Sequence, residues 1–167
     1  MRPRSQRIAC LIACLVICLA LRLATAAVPA EAPRPPLTLE GVKVEPAAPR
    51  PDTLCHLTVT LKNAGAQAAS SLEFVVKVNG QELAAYQKRL YLVPVAPGAT
   101  RELRLFNFWS TETGRPAPAD RRLKVEVTLA RASWARKAAR DGAEVWTPTG
   151  EIPGLPLTRS VTLPMAK

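Results

Sequence analysis

Histidine occurs once in the 167 residues, as His56, and beyond residue 26 cysteine occurs once, as Cys55. A single thiol cannot close an intramolecular disulfide, so a chain trimmed of its first 26 residues must be held by its core. Zinc sites use about three or four protein ligands, which one cysteine and one histidine do not supply. A Ser-His-Asp arrangement would have to use His56. G-x-S-x-G, a phosphate-cradling glycine loop and H-E-x-x-H are all missing. Carboxylates that could pair for glycoside hydrolysis are present, but they scatter over strand surfaces and loops. The expectation is a protein that is not an enzyme, with no metal, cofactor or disulfide. Helical periodicity is absent too, save for one or two turns at Ser133–Arg140.

Long apolar runs are also lacking. Ile8–Ala20 is 13 residues long, and extension to Leu23 gives 16 but includes Arg22. A membrane span takes about 20. Arg2, Arg4 and Arg7 precede the run and Ala24-Thr25-Ala26 follows it, so residues 1–26 read as a secretory signal peptide. The rival reading is an uncleaved anchor. Cleavage removes Cys10, Cys14 and Cys18, which serve as apolar filler, and four arginines with no acid, taking the formal charge from +10 to +6. The remainder should be one periplasmic or secreted domain, with no stable membrane span after cleavage.

What is present is a series of short alternating segments. Leu54–Gly65 is the clearest start, with Cys55, Leu57, Val59 and Leu61 apolar and His56, Thr58, Thr60 and Lys62 polar. That period of two predicts a strand with one face in a core, and it places the Cys55 thiol inward and His56 outward. Before it, residues 27–36 form an Ala/Pro-rich spacer, and Leu37–Val44 alternates with a parity change at Glu40-Gly41 that suggests a bulge or a sheet-crossing edge strand. After it come Leu72–Val78, the Asn79-Gly80 hairpin signal, a less regular return over Leu83–Val93, and the Pro97-Gly98 turn. Arg101–Phe106, Leu123–Leu129 and Leu157–Leu163 complete the set, with Ser110–Arg122 as loop. Seven or eight strands with Pro/Gly/Asn turns predict an all-β chain over residues 37–167. The favoured architecture is an antiparallel β-sandwich and the alternative a small barrel.

Five local features resemble a family. Leu61-Lys62-Asn63-Ala64-Gly65, Val78-Asn79-Gly80, Pro97-Gly98, Phe108-Trp109 and Leu123–Leu129 look like the corresponding parts of a CARDB domain, the cell-adhesion-related domain found in bacteria. The resemblance covers Leu37–Leu129 and implies an immunoglobulin-like sandwich. It also implies a non-catalytic role in adhesion, spacing or partner binding outside the cytoplasm. Where that family has an acidic hairpin, this chain has Ala130–Pro156, which is basic and carries two tryptophans. An acidic, cation-binding role is therefore not carried over.

Ala130–Pro156 reads as a long irregular loop, a kind of segment that is usually functional. Trp134, Arg136, Lys137, Arg140 and Trp146 are its candidate contact residues, suited to an envelope protein or an anionic polysaccharide. The competing reading folds Trp134 and Trp146 back over one end of the sandwich. Arg115, Arg121 and Arg122 form a second basic group. The basic residues are interspersed rather than striped, and export makes nucleic acid an unsuitable ligand. A second functional reading is a structural or assembly subunit that self-associates by edge-strand addition, through Leu37–Val44 or Leu83–Val93.

Overall fold

The computed structural model describes residues 35–83, 90–111, 118–140 and 143–167. The expected signal peptide, most of the spacer, Tyr86, Arg115 and the Arg140 side chain lie outside the described residues. The described chain is all-β, with nine strands and no helix: β1 (Leu37–Glu45), β2 (Leu54–Asn63), β3 (Ala68–Val78), β4 (Gln81–Glu82), β5 (Leu90–Tyr91), β6 (Thr100–Trp109), β7 (Arg122–Arg140), β8 (Ala143–Glu151) and β9 (Leu157–Pro164). They form two antiparallel sheets. One has the order β1-β2-β6. The other has β3 and β7 at its centre, with β4 and β5 on the outer edge of β3, and β8 and β9 on the outer edge of β7.

A single hydrophobic cluster draws side chains from both sheets. Cys55, Leu57, Val59 and Leu61 from β2 and Leu123, Val125, Val127 and Leu129 from β7 are all completely buried in it. Each fully buried Leu or Val stabilises by roughly 1.5–3 kcal/mol relative to exposure. The alternation that predicted β2 and the first half of β7 is thus the imprint of this shared core. The final strand packs more loosely, with Val161 and Leu163 half-buried against the cluster.

Irregularities fall where the pattern slips. At Gly41 the pairing of β1 with β2 shifts register, so the parity change is a bulge and β1 stays within one sheet. Arg104 and Phe106 of β6 pair with consecutive residues of β2, leaving Leu105 as the extra residue and restoring Phe108 to the core. Asn79 and Gly80 both have positive φ (51° and 81°) and close the two-residue turn between β3 and β4. Asn79 also bonds Lys124 of β7 by its N–H (2.8 Å) and through its Oδ1 (3.0 Å).

Three expectations need correction. β3 begins at Ala68, four residues before the expected start at Leu72. Most of Ala130–Pro156 is not loop, and Ser133–Arg140 is not helical. Instead β7 runs unbroken for 19 residues to Arg140 and pairs with β8 in a hairpin.

Candidate functional site

Asn63 ends β2 and organises the turn that follows. Its side chain is completely buried. Nδ2 donates to the carbonyls of Gln67 (2.7 Å) and Val95 (2.9 Å), and Oδ1 accepts from the Gly65 N–H (2.9 Å). The turn is thereby fixed against the segment leading to β6. Gly65 then passes directly beneath the Trp134 ring, where a Cβ would lie 2.5 Å from its Cη2 atom. Trp134 pairs with Ala69 across the β3–β7 ladder and packs half-buried against the core.

Past this point β7 outruns β3. The last β3–β7 pair is Ala68–Ala135, while β7 continues paired with β8 to Arg140. Residues opposite each other on antiparallel strands share a face. Lys137 lies opposite Trp146, Ala135 opposite Pro148 and Ala139 opposite Glu144, so these six share one face. Arg136 and Ala138 occupy the other, opposite Thr147 and Val145. All nine residues of β8 are exposed, which is the reason that no alternation marks this hairpin in the sequence. Lys137 Nζ forms an ion pair with a Glu144 carboxylate oxygen. Arg136 is exposed and ion-paired with no acid among the described residues.

Beside the hairpin lies an open groove of about 470 Å³. Ala66, Gln67, Ala68 and Pro97 form one wall, and Ala135, Arg136, Lys137 and Trp146 line the hairpin side. Trp146 is 37% exposed. Of the five expected contact residues, the structure brings Arg136, Lys137 and Trp146 to this groove. Trp134 sits on the core side, and the backbone of Arg140 lies at the far end of β7.

The backbone at this groove has a particular orientation. Ala69 exchanges both of its hydrogen bonds with Val95, on the edge of β3 away from β7. Its neighbours Ala68 and Ser70 therefore direct their N–H and C=O groups at β7, and Ser133 and Ala135 return them. By the same alternation Lys137 and Ala139 point theirs to the β3 side of β7. No described strand pairs with them there. Pro148 stands opposite Ala135, so its missing N–H falls on the outer edge of β8, where a proline leaves the ladder intact.

Elsewhere the described residues give less. Cys55 is completely buried, its thiol faces the Thr53 carbonyl at 3.6 Å, and burial pushes its pKa up. His56 Nδ1 lies 2.6 Å from Asn107 Oδ1 and 2.7 Å from Arg104 Nη2, which ties the ring to the outer face of the three-stranded sheet. Cys55 and His56 thus occupy opposite faces. Among the described residues no group of three His, Cys, Asp or Glu side chains could hold a metal ion. No described helix is long and apolar enough to cross a membrane. Of the two expected edges, β1 is an edge strand, and Arg159 Nη1 of β9 donates across to its Leu39 carbonyl (3.4 Å). No protein-family model, curated protein or solved structure matches the chain.

Proposed function

We propose that the chain is an exported, non-catalytic binding module of the bacterial cell envelope, built as an immunoglobulin-like sandwich of the CARDB type. Residues 1–26 serve as a cleaved signal peptide, and the β7–β8 hairpin carries the contact surface for an envelope protein or an anionic polymer. One observation carries the reading: a strand 19 residues long leaves the shared core to present Arg136, Lys137 and Trp146 at an open groove. An exposed aromatic ring beside cations is the side-chain chemistry of a binding hot spot. Trp134 anchors the hairpin, and Arg136, Lys137 and Trp146 meet the partner.

The test is a binding comparison on isolated envelope fractions and on an immobilised anionic polysaccharide. Joint replacement Arg136→Ala and Trp146→Ala should reduce retention at least tenfold with little change in melting temperature. Trp109→Ala serves as the control, because Trp109 is 55% exposed on the other sheet, opposite Leu54. Equal retention of the double variant and the wild type would remove the hairpin from the contact.

A further inference from the structure

We infer that the β3-side edge of β7 beyond Ala135 is a strand-addition site for an extended acidic segment of a partner protein. The inference rests on the hairpin being the contact surface, and it narrows the partner from protein or polymer to peptide.

The edge is five residues long, 136–140, or about 17 Å of extended chain. Lys137 and Ala139 each offer one donor and one acceptor to it. A strand laid there would continue the line of β3 past Ala68, in the space where Ala66 and Gln67 veer away to form the groove wall. Main-chain hydrogen bonds would supply affinity, and alternate side chains specificity. The two faces of the added strand would meet different surfaces. On one face lie Ala68, Ala135, Lys137 and Trp146, which suit apolar side chains beside an aliphatic lysine stem. On the other lies Arg136, which suits a carboxylate. Alternating acidic and apolar residues satisfy both.

Charge also separates this occupant from a second copy of the chain. A symmetric antiparallel pairing centred on Ala138 would put residue 136 opposite residue 140 twice, and both are arginines. Like charges directly opposed across a strand pair destabilise it. Pro148 likewise withholds a donor on the outer edge of β8, so the two edges of the hairpin are not equivalent.

The experiment titrates the purified protein with an end-blocked peptide of four Glu-Val repeats. Two peptide controls are the Lys-Val analogue and a Glu-Val peptide N-methylated at alternate residues. Two protein variants are Ala139→Pro, which deletes an edge donor without touching the β8 ladder, and Arg136→Glu. Saturable binding of the Glu-Val peptide is expected, weakened at least tenfold by alternate N-methylation, by Ala139→Pro and by Arg136→Glu. No binding, or equal binding of the N-methylated peptide, overturns the inference. The N-methylated peptide carries the same charge, so it decides the matter even if Ala139→Pro unfolds the hairpin. Dimerisation of the wild type that Ala139→Pro abolishes would make the occupant a second copy and overturn the acidic segment. If the peptide fails while anionic polysaccharide is still retained in a manner sensitive to Arg136 and Trp146, strand addition falls and the proposed contact surface stands. If both fail, the hairpin is not the contact.

Discussion

At the scale of single residues, the hairpin is held by side chains that read as ordinary turn or surface material. Trp134 and Gly65 form an interlocked pair, so their substitutions should couple. Gly65→Ala alone should cost about 1–3 kcal/mol, because the new methyl must displace an indole ring and not open space. Trp134→Ala alone should cost about 2–4 kcal/mol through lost burial and a cavity. In the Trp134→Ala background, Gly65→Ala should be nearly free, and urea unfolding of the four proteins gives the coupling directly. Additive losses would mean that the ring does not rest on Gly65. Asn63 is completely buried and makes three hydrogen bonds, so Asn63→Ala should cost about 2–4 kcal/mol by the same measurement. Cys55 supplies a pH-dependent prediction. Its thiol titrates at a higher pH when folded than when unfolded, because burial disfavours the thiolate. The unfolded chain therefore loses that proton first, and stability falls as pH rises above about 9, the ordinary value for the thiol. Cys55→Ala should flatten that part of the stability curve. At pH 8 an alkylating reagent should label the wild-type thiol slowly in buffer and rapidly in guanidinium.

At the scale of elements, legibility followed burial. β2, the second half of β3 and the first half of β7 alternate because one face of each enters the core, and their inward residues could be named from the sequence. The second half of β7 could not be read this way. Both faces of the hairpin lack a core to enforce alternation, and Ala130–Arg140 is rich in Ala, Arg and Lys, whose intrinsic preference is helical. Tertiary pairing with β8 overrides that preference. The start of β3 was hidden for a related reason: Ala68-Ala69-Ser70-Ser71 resembles a turn, and Ser71 does adopt positive φ (52°) where the register slips. Basic and aromatic composition drew attention to the segment that forms the hairpin, but only the ladder separates Trp134, on the core side, from Trp146, at the groove. The two tryptophans should accordingly behave oppositely. Trp146→Ala should leave the unfolding free energy within about 0.5 kcal/mol of wild type. It should also blue-shift the mean tryptophan emission by deleting an exposed ring. Trp134→Ala should do the reverse on both counts.

At the scale of the whole molecule, charge and processing are the variables on which the proposed contact would depend. The proposed removal of residues 1–26 would take four arginines with it and lower the formal charge to +6, and the remaining cations are concentrated in no single stripe of the sequence. Attraction to the proposed acidic partner would therefore have a long-range part shared over the surface and a short-range part fixed at the groove. Salt separates them. The long-range part fades as the screening length contracts from about 14 Å near 50 mM to about 6 Å near 300 mM. Hydrogen bonds between backbones do not carry net charge and persist. Over that range the association rate with a Glu-Val peptide should fall at least fivefold while the dissociation rate changes less than twofold, as steered encounters do. A dissociation rate that climbs in step with salt would mean that ion pairs alone hold the complex, and that the open edge of β7 contributes no hydrogen bonds. The same protein, recovered from an exporting host, should begin at Ala27 by intact mass. A chain beginning at Met1 would keep Arg2, Arg4, Arg7 and Arg22 and remain tethered by its apolar segment, so steering would then act toward the membrane surface rather than in free solution.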